Sequence, residues 1–222
     1  MNDNLYFFDL DFEELKSELK KLGLPEFRAR QLWQAFYVDL IPDIGQATTL
    51  SKDLRGQLAD LMQFSRLNSV QRLASSDGET VKTLFELPDE KAIEAVLMHY
   101  DERQTLCISS QAGCAMGCVF CATGQMGFAR NLSSGEIVEQ VLFYARELKQ
   151  SDMAVTNIVI MGMGEPFNNY EAVMSAIDRL NDPQSFNLGA RRITISTVGL
   201  VPAIKRFAEE KSQVNLAISL HA

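Results

Sequence analysis

The sequence predicts an α/β chain: a partial (β/α) barrel, truncated at its C-terminal side, preceded by a small helical domain and a β-hairpin. Three observations predict it. From about residue 100 onward, short apolar strands alternate with amphipathic helical stretches, the pattern of a parallel sheet with crossover helices. The first 68 residues instead place their apolar side chains at helical spacing. Between these regions, two β-rich runs flank Pro88-Asp-Glu-Lys91, a polar loop of hairpin length. The chain therefore divides into 1–68, a helical accessory domain; 69–99, a hairpin connection; and 100–222, an incomplete barrel core.

In the first domain Phe12, Leu15, Leu19 and Leu22 share a helical face, and Gly23 follows as a stop. Pro25 stands where a first helical turn tolerates proline, ahead of Phe27, Leu32, Trp33, Phe36 and Tyr37. After Ile41-Pro-Asp-Ile-Gly45, Ser51 caps a third helix bearing Leu54, Leu58, Leu61 and Met62. The period changes to strands near Ser69, and residues 81–87 and 92–98 form the hairpin, which extends or leads into the sheet that follows.

In the core, residues 104–111 form the first strand. Ser133-Ser-Gly-Glu136 is a capping box before a helix carrying Ile137, Val141, Leu142, Ala145 and Leu148. Residues 155–161 form a buried strand ending in Gly162-Met-Gly-Glu-Pro166, and a helix follows over about 170–180. Residues 192–196 make the next strand, Pro202 starts a helix with Ile204 and Phe207, and 214–220 make the last strand. Ligands of such sheets collect at the C-terminal ends of the strands. The loop after the first strand, Gly164-Glu165, Ser196-Thr197 and Ser219–His221 all fall there, so the sequence expects them to line one mouth.

Composition excludes some classes. In 222 residues, 46% are hydrophobic and 23% charged, ordinary for a globular chain. The start, Met1-Asn-Asp-Asn-Leu-Tyr6, lacks the basic-then-apolar pattern of a signal peptide, and no apolar run is long enough for a bilayer. Free cysteines arranged for metal chemistry suit a reducing compartment, so the expected location is cytoplasmic, without membrane. A net charge of −8 argues against a nucleic-acid partner unless basic residues such as Arg28, Arg30, Arg130 and Arg191-Arg192 gather on one surface. Read from sequence alone, they are scattered solvated charges.

The chemistry lies in Cys114-Ala-Met-Gly-Cys118-Val-Phe-Cys121. Three thiolates on one short loop can hold three irons of a cubane iron–sulfur cluster, leaving the fourth iron for a small molecule. A structural zinc site with Cys107 as fourth ligand is the alternative, although such sites more often use two separated C-x2-C pairs. The spacing resembles the radical S-adenosylmethionine (SAM) superfamily. Phe120 fits too, since the superfamily usually places an aromatic residue there beside the adenine.

Longer strings narrow the resemblance. Cys107-Ile-Ser-Ser-Gln-Ala-Gly-Cys114, Phe120-Cys-Ala-Thr-Gly-Gln-Met-Gly-Phe128, Arg130-Asn-Leu132, Met161-Gly-Met-Gly-Glu-Pro166, Ile195-Ser-Thr-Val-Gly199 and Ala217–Ala222 resemble the ribosomal RNA adenine-C2 methyltransferases of that superfamily. The resemblance covers nearly the whole chain and implies a radical-SAM barrel with an RNA-docking N-terminal domain. It implies that Cys114, Cys118 and Cys121 ligate a [4Fe–4S] cluster, and that Gly164 and Glu165 meet the methionine end of SAM. Ser196 would bond the ribose, while Ser219, Leu220 and His221 would line the adenosyl pocket. It further implies two SAM per turnover. The first methylates a cysteine near the C-terminus, and the second yields a 5′-deoxyadenosyl radical that takes a hydrogen from that methyl. The carbon radical adds to carbon 2 of an adenine. Cys107 resolves the adduct through a transient disulfide, with Glu94 as proton acceptor. The implied partners are 23S ribosomal RNA, transfer RNA and an electron donor such as flavodoxin.

One departure matters. The four cysteines are assigned by Cys121, so this sequence holds no acceptor cysteine and looks like an N-terminal fragment of a longer enzyme. Such a chain is expected to bind a cluster without completing methyl transfer. Two rivals stay open: the sister family that methylates carbon 8, and a zinc-stabilised RNA-binding module without catalysis.

Overall fold

The computed structural model describes residues 5–220. A two-residue strand, β1 (Leu5–Tyr6), pairs in parallel with β2 (Met62–Gln63), tying together the ends of the N-terminal domain. The three expected helices lie between them: α1 (Phe12–Lys21), α2 (Phe27–Trp33) and α3 (Lys52–Leu61). Asp11 and Glu14 close a capping box on α1, and the Ser51 hydroxyl accepts from the Leu54 amide at the start of α3. Helix α2 runs on as a π-helical turn over Gln34–Val38. An aromatic core fills the centre, with Phe36 stacked on Phe64 at 4.8 Å and Phe7 meeting Phe8 edge-on at 5.1 Å. Met62, expected on the third helix, opens β2 instead.

Seven further strands form one mixed sheet, in the order β11-β10-β9-β6-β5-β4-β3. The antiparallel half is β3 (Asn68–Ala74), β4 (Thr80–Glu86) and β5 (Ala92–Tyr100). β5 pairs antiparallel with β6 (Arg103–Cys107), and β6, β9 (Asn157–Ile160), β10 (Ile193–Thr197) and β11 (Asn215–Ile218) run parallel. The hairpin therefore extends the core sheet directly. Among the described residues the sheet stays open, a partial barrel.

Two differences from the sequence reading have physical causes. The strand period expected from near Ser69 takes the form of β3, a separate strand beside the hairpin; all seven of its residues are exposed, so no alternating pattern marks its bounds. The first core strand stops at Cys107, and Gln111–Gly113 forms a separate strand, β7, paired with β8 (Phe128–Asn131). The amides of Ser110 and Gln111 both donate to the Met163 carbonyl, which turns the chain out of the sheet.

Three further helices cross between strands: α5 (Ser134–Lys149), α6 (Tyr170–Asn181) and α7 (Val201–Glu209). A short α4 (Ala122–Gln125) lies within the cysteine loop. One sheet face, with Phe85, Ile93, Leu97, Leu106, Ile158 and Ile195, is wholly buried, and Phe85 meets Phe143 of α5 edge-on at 4.9 Å. Each such side chain removed from water contributes about 1.5–3 kcal/mol. The other face, with Glu94, Val96, Cys107, Val159, Thr194 and Ser196, is only partly buried. Period-two alternation puts these chemistry-bearing side chains on the open face.

Candidate active site

The cysteine loop is gripped at its base by the β7–β8 ladder. The Cys114 amide donates to the Gly127 carbonyl at 2.9 Å, and Gly113 opposite has a φ of +75°. A Cβ at Gly113 would lie 2.0 Å from the Gly127 oxygen, so glycine is required twice over. Inside the loop the Cys121 amide donates to the Cys118 carbonyl at 3.1 Å, and α4 begins at the next residue. Gly113→Ala is expected to cost about 2–3 kcal/mol through left-handed strain and displacement of residue 127. Thermal melting and cysteine accessibility to a thiol reagent check it.

A cleft of about 660 Å³ opens beside this loop. It is lined by Cys114, Cys118, Cys121 and Phe120 from the loop, Gly164 and Glu165 after β9, Ser196 at the end of β10, and Ser219 after β11. The structure thus brings four sequence-distant segments together at the C-terminal ends of parallel strands, as expected. Phe120 is exposed on the cleft wall, and the Ser196 and Ser219 hydroxyls stand 3.1 Å apart. Leu220 is 87% exposed and does not line the cleft, and His221 lies outside the described residues.

Glu165 is 2% exposed yet well satisfied. One carboxylate oxygen accepts from the Phe167 amide at 3.0 Å and the other from the Val198 amide at 2.9 Å, pinning the loop after β9 to the loop after β10. Each oxygen keeps a lone pair for a further cationic donor.

All four cysteines are free. Burial pushes the Cys114 thiol up, the Met116 amide pulls the other way, and nearby Cys118, Cys121 and Glu165 push it further up. The three loop thiols therefore share one field. Among the described residues no three Cys, His, Asp or Glu side chains are already drawn together as metal ligands. The donor set nevertheless fits a cluster: three free, half-buried thiols on one short loop, facing one cleft beside a buried carboxylate.

Cys107 is set apart on the open sheet face, opposite Val96 on one side and Val159 on the other. Burial raises its thiol, and the Met161 amide opposes the rise. It does not line the cleft with the loop thiols. Glu94 lies on the same face, diagonal to Cys107 across the β5–β6 pair. Its carboxylate pairs with Lys82 at 2.9 Å.

Sequence reasoning missed the polar residues that hold these loops. The Ser109 hydroxyl accepts from the Met163 amide at 2.8 Å and donates to the Glu94 carbonyl at 2.6 Å. Gln140 of α5 grips the Ser109 backbone from both sides, accepting from its amide at 2.8 Å and donating to its carbonyl at 3.0 Å. Asn169 donates to the carbonyls of Ser110 and Leu132, both at 2.8 Å. A Cβ on Gly162 would meet the Ser109 hydroxyl at 2.7 Å, and one on Gly164 would meet the Gln111 side chain at 2.5 Å. The one available sequence signal was the matching of small and polar residues between 109–113 and 161–165.

Residues 108–222 match the radical SAM superfamily model. The chain belongs to the radical SAM superfamily. Residues 4–64 match the model of the ribosomal RNA large subunit methyltransferase N-terminal domain. The chain is 52% identical over 220 residues to a protein from Chloroflexus aurantiacus described as a probable dual-specificity RNA methyltransferase RlmN, covering 97% of this chain and 58% of that one. A Bifidobacterium adolescentis protein of the same description is 45% identical, over 98% of this chain and 58% of its own length. A solved radical SAM methyltransferase from Sphaerobacter thermophilus superimposes with a TM-score of 0.95 at 49% identity, over 98% of this chain and 64% of that one. The chain thus spans about 58% of the length of these curated relatives.

Proposed function

We propose that this chain carries the cluster- and cofactor-binding part of an enzyme that methylates carbon 2 of a specific adenosine in 23S ribosomal RNA, and in transfer RNA, through a methyl-cysteine intermediate. The observation that supports it most is the single cleft shared by Cys114, Cys118, Cys121, Gly164, Glu165, Ser196 and Ser219. In this reading the three thiolates hold a [4Fe–4S] cluster, and Glu165 takes the ammonium of SAM on the lone pairs its backbone bonds leave free. When bound, cluster and SAM together supply one-electron reductive cleavage, with an electron from a donor such as flavodoxin and two SAM per turnover. Ser196 bonds the ribose, Phe120 packs beside the adenine, and Ser219 lines the adenosyl pocket.

Glu94 is the proton acceptor and Cys107 the resolving thiol. Their diagonal placement on the open face of β5 and β6 favours joint action on one substrate. The helical domain docks the RNA by its shape, with the target adenine splayed out toward the cleft. The cytoplasm, as a reducing compartment, suits the four free thiols. With its four cysteines used in these roles, the chain has none left to carry the methyl group.

Anaerobic reconstitution with ferrous iron and sulfide, followed by incubation with SAM, reductant and ribosomal RNA, tests the reading. A brown protein that cleaves SAM yet leaves the RNA unmethylated is expected. A colourless zinc protein refutes the cluster, and methylated adenine in the RNA refutes the missing-acceptor argument. If the longer family members methylate carbon 8 in the same assay, the assignment to carbon 2 falls.

A further inference from the structure

Two loops must stand at a fixed separation if one molecule is to bridge them: the cysteine loop and the turn bearing Gly164 and Glu165. One buried side chain connects them. Gln111 is 1% exposed, on β7 at the entry to the cysteine loop. Its side-chain oxygen accepts from the Glu165 amide at 2.9 Å, and its side-chain nitrogen donates to Asn131 Oδ1 at 2.7 Å. Asn131 lies opposite Gln111 on β8, the exit from the loop. A single amide therefore touches the entry strand, the exit strand and the carboxylate-bearing turn. The turn is fitted closely to it. Gly164 has a φ of +103°, and a Cβ there would lie 2.5 Å from Gln111 Cβ and 2.8 Å from its backbone nitrogen. Glu165 carries the linkage onward through its bond to the Val198 amide.

Resting on the function proposed above, we propose that Gln111 is a positioning residue for the cofactor. It sets the distance between the cysteine loop and Glu165, and Asn131 orients it. Its amide cannot be replaced by an apolar side chain of equal size, because the buried Glu165 amide would lose its acceptor and Asn131 its donor. Losing the pair is therefore expected to weaken SAM binding by about tenfold, since tenfold corresponds to about 1.4 kcal/mol.

The test compares Gln111→Met, Asn131→Leu and Asn131→Asp with the unaltered chain after anaerobic reconstitution. Asn131 is exposed, so its variants keep the test open if Gln111→Met does not fold. Iron content reports the cluster, equilibrium dialysis reports SAM affinity, and the electron paramagnetic resonance of the reduced cluster with and without SAM reports its geometry. Gln111→Met and Asn131→Leu are expected to keep their iron, lose about tenfold in SAM affinity and lose the SAM-induced spectral change. Asn131→Asp keeps the acceptor oxygen and is expected to retain both. Unchanged affinity and spectra in Gln111→Met and Asn131→Leu overturn the proposal, as does equal loss in Asn131→Asp. An unaltered chain that takes up no iron overturns the cluster reading itself, and this proposal with it.

Discussion

Replacing Cys118 by alanine is expected to abolish iron uptake while leaving the protein folded. Cys118 contributes to the loop through its backbone, whose carbonyl accepts from the Cys121 amide, and alanine keeps that bond. The residue is half-buried on a loop already held at its base by β7 and β8. The change in stability should stay within about 0.5 kcal/mol, as for substitutions away from the core. The loss to the cluster is of another order, because two thiolates cannot replace three. Colour and iron content after anaerobic reconstitution should fall to the level of protein never exposed to iron. Cys107→Ala is the matched control, since it also removes one thiol but from the open sheet face. It should keep its colour. If Cys107→Ala lost iron as fully as Cys118→Ala, all four cysteines would be ligands and the three-thiolate reading would fail.

The contrast between these two cysteines shows where the sequence was informative. The spacing of Cys114, Cys118 and Cys121 carries its chemistry locally, because a short loop keeps its own side chains together whatever surrounds it. Helix starts were legible for the same reason: the capping boxes of Asp11 with Glu14 and of Ser133 with Glu136 close within a single turn. The bounds of strand β3 were not legible, since an edge strand with every residue exposed carries no alternation. Nor was the break after Cys107, which depends on the Met163 carbonyl more than fifty residues away.

The polar joints were hidden more deeply. Glu136 reads as a capping residue and Glu139 and Gln140 as ordinary polar positions of an amphipathic helix, yet each of the three is at most 2% exposed. Glu136 receives both terminal nitrogens of Arg130, at 2.7 and 2.9 Å, and so fixes the strand leaving the cysteine loop. Gln140 fixes Ser109 on the segment entering it. Helix α5 thus supports the cysteine loop from both ends. A helical wheel shows which way such residues point, but not that a partner waits there.

Glu139, on the same helix, governs the joint with the N-terminal domain, and Glu139→Ala is expected to be the most destabilising single substitution considered. Its carboxylate accepts from the Tyr6 hydroxyl, the Ser65 hydroxyl and the Arg66 amide, so both ends of the N-terminal domain hang on it. Alanine leaves three donors without their acceptor, at about 1–3 kcal/mol for each that water cannot reach. A total near 3 kcal/mol would lower the melting temperature by about 10 °C in a chain of this size. Limited proteolysis should then release the N-terminal domain before the sheet is cut. The pH dependence gives a second signature. Burial pushes the Glu139 carboxyl up, against the pull of Ser65, Tyr6, the Arg66 amide and Arg146. A carboxyl raised in the folded state holds its proton more tightly there than when unfolded. Its contribution to stability is therefore complete below the ordinary glutamate value of about 4.3 and declines as the pH rises through the raised one. Melting temperatures measured across that window should fall with rising pH in the unaltered chain and fall less in Glu139→Ala. Equal slopes in the two proteins would mean that the carboxyl titrates normally, and that the joint is held by its apolar contacts rather than by this buried acid.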